Sequence, residues 1–217
     1  MRHLVGGGDN GPDMFRLAVI KALALLRQEG VTRAVAWVLS SAFRVQRFTV
    51  FECDVRQTLP PIPQDPEIEV KLATPEELRQ LRRSHPSLPV AFFYDEIYGL
   101  STCFLTFFQR RVAKVDWLAL PGEYNRYFDL QPGEAEVFQV HVLPEFRSLP
   151  LSRSLNRNSQ AARLRWLLDH GYEREYARVP ATIPTWSRIV GARYRRVGTL
   201  THFAFCCPKF RRGDAAP

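Results

Sequence analysis

The sequence has no cysteine pair at C-x-x-C spacing, no mixed cysteine and histidine cluster, and no apolar run of bilayer length. Cys53, Cys103, Cys206 and Cys207, with five scattered histidines, offer no spacing that would hold zinc, so no metal site is expected. The cysteines read as reduced thiols of a cytoplasmic protein. Lys21, Arg33 and Arg44 cut the apolar stretches well short of the ~20 residues a spanning helix needs. The first apolar run starts late and lacks a convincing cleavage site, which argues against a signal peptide. Gly6-Gly7-Gly8 and Gly11-Pro12 have no strand before them and no Lys-Ser/Thr after them, so they make no phosphate loop. Residues 1–12 are expected to be a flexible tail. Acidic residues are in deficit: 30 Lys+Arg against 22 Asp+Glu gives a formal charge of +8, almost all of it from arginine. That excess suits an anionic partner such as a phosphorylated cofactor, a membrane surface or nucleic acid.

What is present fits one core with an N-terminal appendage, in a chain of 217 residues with 46% hydrophobic content. Asp13 can cap a helix through Phe15, Leu17, Ile20, Leu23 and Leu26, stopped near Gly30. A second helical run begins at Thr32 and carries Val35, Trp37, Val38 and Phe43. Basic residues edge both, so residues 13–47 suit either covering a sheet or peripheral contact with a membrane. Packing is the expected outcome, because the charges form no single polar stripe. Gln46–Val55 alternates as a strand, and 58–66, TLPPIPQDP, is too proline-rich for regular structure. The expected division is a tail at 1–12, a helical extension with a strand at 13–57, a linker at 58–66 and a main domain at 67–210.

In the main domain, Ile68–Leu72 reads as a strand and Thr74-Pro75-Glu76-Glu77-Leu78 as a capped helix start. Thr102–Phe108 and Val112–Leu120 flank the turn Gln109-Arg110-Arg111 as an antiparallel pair. Pro121–Pro132 is expected as a surface excursion. Val137, Phe138, Val140 and Val142 form a strand bounded by Gly133 and Pro144. A turn at Pro144-Glu145-Phe146-Arg147 then feeds a helix that begins near Leu149 or Leu151 and closes at His170-Gly171. Tyr172–Val179 is strand-like, Thr185–Ala192 a helical turn, and Thr199–Cys207 a terminal strand. The order is mixed α/β with one strand–helix–strand crossover. A strand that ends in a basic turn and feeds a helix directly aims that helix's unpartnered N–H groups at one spot. Such a spot favours phosphate.

The run V-L-P-E-F-R-x-x-P-x-S resembles the pyrophosphate-binding segment of the GNAT (GCN5-related) N-acetyltransferases, V-x-P-x-[YF]-R-G-x-G-[IL]-[GA]. Val142, Pro144, Phe146 and Arg147 stand where that pattern wants them, while Ser148, Pro150 and Ser152 take the small-residue places. The strand followed by "ATPEEL" is similar to the first strand and helix of the family. Towards the end, Tyr194 and the following Arg195-Arg196-Val197-Gly198 fit the family's last segment, but Thr182, Ile189 and Arg193 replace its asparagine, tyrosine and glycine. The resemblance covers residues 68–207. It implies a mixed, mostly antiparallel sheet of GNAT type with helices on both faces, and acyl transfer from acetyl-CoA, or another acyl-CoA, to a small-molecule or protein amine.

On that resemblance the cofactor site comprises the backbone of Val140, His141 and Val142, together with Arg147 and the N–H groups of Ser148, Leu149, Leu151 and Ser152. Ala135-Glu136-Val137-Phe138 resembles the strand opening of histone acetyltransferases, which makes Glu136 the expected general base. Strand parity puts Glu136 on the face of Phe138, Val140 and Val142, and His141, the alternative base, on the other. Two further readings stand behind this one. The chain could bind CoA or a partner without transfer, or its basic surface could bind nucleic acid through Arg153, Arg157, Arg163 and Arg165. Nucleic acid ranks third, for want of a stacking-aromatic pattern. The acceptor and the oligomeric state are not encoded in any motif.

Overall fold

The computed structural model describes residues 45–57, 65–182, 194–202 and 209–210, together with Leu26, Val31, Thr32 and Val35. The chain divides into two compact units, Met1–Phe43 and Arg44–Pro217. In the first, the four described residues are helical and exposed. The remainder of the expected N-terminal helices, the proline-rich stretch at 58–64 and the helical turn at 185–192 lie outside the described residues.

The second unit is built on a seven-stranded sheet: β1 (Gln46–Asp54), β2 (Ile68–Leu72), β3 (Thr102–Phe108), β4 (Arg111–Ala119), β5 (Glu134–Val142), β6 (Arg174–Pro180) and β7 (Arg195–His202). Their spatial order is β2-β3-β4-β5-β6-β1-β7. Every neighbouring pair is antiparallel except β5 and β6. The helices are α1 (Pro75–Ser84), α2 (Tyr94–Tyr98) and α3 (Leu149–Asp169), with 3-10 turns at Val90–Phe93 and Pro144–Phe146. This is the mixed, mostly antiparallel architecture that the sequence predicts.

One boundary is corrected. The expected division set the strand at 46–55 in an N-terminal extension, with the domain border at 58–66. Instead β1 lies inside the sheet, with Phe51 opposite Ala177 of β6 and Phe48 opposite Leu200 of β7. Proline-rich composition marks a connection without regular hydrogen bonding, and such a connection can join two strands of one sheet.

α1 begins as its sequence dictates. Thr74 accepts from the Glu77 N–H at 3.2 Å, and the Glu77 carboxylate accepts from the Thr74 N–H at 2.8 Å. The β3–β4 connection is a two-residue turn in which Gln109 and Arg110 both have left-handed backbones, φ 49° and 63°. That geometry matches the twist of the flanking strands.

The sheet carries helices on both faces. α3 packs on β2, β3 and β4, where Leu164 and Leu167 join Phe104, Leu118 and Val137 in one buried cluster. On the opposite face Trp117 donates from Nε1 to Ala91 O at 2.7 Å, and Tyr94 packs against Trp117 and Phe138. Further along that face Phe48, Val50, Phe128, Tyr176, Leu200 and Phe210 form a second cluster. The Phe210 ring lies over Gly198 of β7, where a Cβ would stand only 2.9 Å from it.

Residues 86–99 hold the 3-10 turn and α2. One other expectation changes. The excursion Pro121–Pro132 is pinned to the core: Asn125 and Phe128 are buried, and Phe128 bridges to Phe210.

α3 is also fixed by buried charge. Arg163 donates from Nε to Glu175 Oε1 at 2.5 Å and lies 3.9 Å from Asp116 Oδ1. Lys114 Nζ donates to Asp116 Oδ2 at 2.6 Å and also to Ser159 Oγ. Tyr194 OH donates to Glu175 Oε2. Two cations and two carboxylates thus balance beneath the helix. Burial drives Lys114 down to about 8, and the Asp116 charge opposes the fall. Arg163 is therefore no part of a surface arginine footprint, whereas Arg153, Arg157 and Arg165 are exposed.

Candidate functional site

β5 and β6 pair in parallel only from Glu134↔Arg174 to Val137↔Ala177. β5 then continues to Val142 and β6 to Pro180 without pairing to each other, so the sheet opens between them. At the same level β5 carries a bulge: Leu118 of β4 faces Val137, while the adjacent Trp117 faces Gln139. Phe138 is the extra residue.

The bulge overturns the parity expected for this strand. Before it, Glu136 lies opposite Ala119, on the face away from α3. After it, Val140 lies opposite Asp116 and packs into the cluster beneath α3. Glu136 and His141 therefore share a face, and Val140 and Val142 take the other. The two candidate bases, opposite Ala119 and Val115, are still about 13 Å apart along the strand at ~3.3 Å per register step, too far to serve one proton together.

Glu136 is fully buried. Its Oε1 accepts from Arg178 Nη1 at 2.5 Å and its Oε2 from Asn125 Nδ2 at 2.7 Å. Burial raises its pKa, while the Arg178 charge and the two hydrogen bonds oppose the rise. Asn125 Oδ1 accepts the N–H groups of Tyr127 and Phe128 at 2.9 Å, which locks the 121–132 segment onto this carboxylate. Aromatic rings crowd the same place: Tyr98 packs on Tyr124 and Phe138 at 5.3 and 5.2 Å between centroids. Burial pushes the Tyr98 hydroxyl up to about 12, so it stays protonated at neutral pH.

His141 is half-buried, with its Nε2 shielded from solvent and without a hydrogen-bond partner among the described residues. Burial and the nearby Arg147 charge lower its pKa and favour the neutral ring. It lies at the helix end of the opening, away from Glu136.

The backbone of β5 sorts the remaining candidates. Leu143 N–H donates to Ala113 O at 2.9 Å, so alternation along the antiparallel pair turns His141 towards β4. The N–H and C=O groups of Val140 and Val142 then face the opening, and Val142 O is met there by Arg147 Nε at 2.9 Å. The backbone of His141 is thus withdrawn from the expected cofactor edge.

The 3-10 turn leads from β5 straight into α3, whose first residue follows Ser148 with no side-chain cap bond. Ser148, Leu149 and Leu151 supply N–H groups at this terminus, and Pro150 supplies none. Ser152 N–H donates to Ser148 O at 2.8 Å, so the helix already uses the donor expected to reach a phosphate. Five backbone groups and one guanidinium remain from the predicted set: Val140, Val142, Ser148, Leu149 and Leu151, with Arg147.

Arg178, Asn125 and Tyr127 were not among the residues singled out. Arg178 had one signal, a charge within a strand beside Tyr176 and Val179. Asn125 had none, since its role depends on a loop folding back. Of the substituted positions near the end, Ile189 and Arg193 lie outside the described residues.

Parallel strands that part after Val137, a bulge at Phe138 and the terminus of α3 thus lie together along one edge of β5. Similar chain paths occur in solved structures that are mostly GNAT acetyltransferases. A protein described as of the GNAT family from Novosphingobium aromaticivorans is 18% identical, with a TM-score of 0.49 over 73% of this chain and 63% of the other. GCN5-related N-acetyltransferases from Kribbella flavida and Sphaerobacter thermophilus are 12% and 11% identical, both with TM-scores of 0.44. They align over 79% and 84% of this chain, and over 62% and 59% of their own lengths. The chain thus spans less than two thirds of each. No family model and no curated protein matches the sequence.

Proposed function

We propose that the chain is an acyl-CoA-dependent N-acyltransferase. The observation that carries this reading is the opening of β5 from β6 after Val137, beside the buried Glu136 and ending at the N-terminus of α3. An unpaired strand edge takes an extended amide chain by backbone hydrogen bonding. A helix terminus with Arg147 beside it takes its phosphates. Acyl-CoA would supply the thioester: the acceptor nitrogen forms the C–N bond, the C–S bond breaks, and the amine proton balances the thiol released. Val140 and Val142 would hold the pantetheine amides. Glu136, oriented by Arg178 and Asn125, is the residue that takes the proton. Its raised pKa suits that work.

A second reading, acyl-CoA binding without transfer, is favoured by the enclosure of Glu136 between Arg178 and Asn125. Calorimetric titration with acetyl-CoA and with free CoA tests what both share, and acetyl transfer to an amine panel separates them. Binding with turnover supports the first reading, and binding without turnover the second. Absence of binding at millimolar cofactor contradicts both.

A further inference from the structure

Arg178 carries an inference about the acceptor, which rests on the acyltransferase reading for the location of the reacting centre. β6 leaves β5 after Ala177, and the next side chain, Arg178, reaches back across the opening. Its guanidinium donates to Glu136 Oε1 at 2.5 Å, and both Nη atoms donate to Phe138 O at 3.3 Å. Its Cζ lies 3.9 Å from the Tyr127 ring centroid, 5.4 Å from Phe138 and 5.8 Å from Phe48. All three fall within the ~6 Å over which a ring face attracts a cation.

A carboxylate, a backbone carbonyl and three aromatic faces are the groups by which a protein holds a cationic ligand. Here they hold a cation already, and it belongs to the chain. The one negative charge of Glu136 is matched by Arg178 at 13% side-chain exposure. A second cation entering there would meet the guanidinium with the charge of Glu136 already matched, in surroundings that screen poorly. An uncharged group meets no such repulsion, and the rings still offer it apolar contact.

We propose that Arg178 makes this site selective for acceptors uncharged at the reacting group, such as arylamines, and that it excludes alkylammonium acceptors. An arylamine attacks with a lone pair it already has, so it needs no deprotonation before it enters. Glu136 then takes only the proton that the nitrogen sheds as the C–N bond forms.

The test uses two probes of similar shape, benzyl alcohol and benzylammonium, titrated into the full chain and followed at the amides of Tyr127 and Phe138 by NMR. The wild-type protein is expected to bind benzyl alcohol at least about 10-fold more tightly than benzylammonium. Arg178→Met keeps the bulk, leaves Glu136 without its cation, and should reverse that order. Arg178→Lys keeps a cation in place and should retain the wild-type order. Equal or tighter benzylammonium binding by the wild type overturns the proposal, as does binding of neither probe. An unchanged order in folded Arg178→Met also overturns it. Should that variant not fold, the wild-type and Arg178→Lys arms decide alone. Acetyl-CoA binding, measured separately on the same samples, reports on the acyltransferase reading without entering this comparison.

Discussion

Glu136 and Arg147 sit at opposite ends of one opening, and their substitutions should separate chemistry from binding. Arg147→Ala removes a guanidinium beside the α3 terminus, and acetyl-CoA affinity should fall by about 1–3 kcal/mol in a calorimetric titration, the range of a charge-assisted hydrogen bond. Glu136→Gln preserves size and the bond from Asn125 while removing basicity. Turnover should fall roughly 10²–10⁴-fold, with acetyl-CoA affinity little changed. Equal turnover in mutant and parent would make Glu136 purely a partner for Arg178. Both residues were legible in the sequence, as were the strand of Glu136 and the turn of Arg147. Their faces were not. A bulge adds one residue to a strand and leaves no mark in the apolar pattern, so every side chain after Phe138 was placed on the wrong side. The partners of Glu136 were hidden for a related reason, since Asn125 and Arg178 come from a folded-back segment and a neighbouring strand.

At the scale of elements, local rules worked where the chain obeys local chemistry. The Thr74 and Glu77 box, the β3–β4 turn and the span of β5 all follow from adjacent residues. The turn retains a defect, because Arg110 holds φ 63° without being glycine. Arg110→Gly should raise stability by about 1 kcal/mol in urea denaturation. A decrease would mean that the arginine side chain contributes more than its backbone strain costs.

The charge network under α3 makes a pH prediction. Lys114 titrates at about 8 in the folded protein against an ordinary value of 10.5. Between these values the unfolded chain binds more protons at this site than the folded one, so stability rises with pH there. The raised pKa values of buried Cys103, above about pH 9, and of Tyr98, Tyr176 and Tyr194, above about pH 10, act the other way. From pH 8 to pH 10 the Lys114 contribution should be about 1 kcal/mol per pH unit. Lys114→Met should abolish that slope relative to the parent. Identical slopes would show that Lys114 stays charged throughout. Nothing local announced this network, because residues 114, 116, 163, 175 and 194 meet only when the sheet and α3 come together.

Across the whole molecule, the placement of β1 decides what counts as the domain. A strand between β6 and β7 cannot be removed without leaving two strand edges and part of both apolar clusters exposed. A fragment of residues 58–217, which keeps the main domain expected at 67–210 but lacks β1, should therefore lose its cooperative thermal transition by circular dichroism. A sharp transition in that fragment would put β1 outside the cooperative unit. Sequence order hides this, because β1 pairs with strands more than a hundred residues later. The resemblance that began at Ile68 stopped short of it.

Hydrogen exchange reads the open edge of β5 amide by amide. In the free protein the Val140 and Val142 N–H groups face the opening and should exchange quickly, while His141 N–H, turned to β4, should be protected. Acetyl-CoA should protect Val140 and Val142 and leave His141 as it was. Saturating acetyl-CoA that leaves Val140 and Val142 exchanging at their free rates would contradict the account.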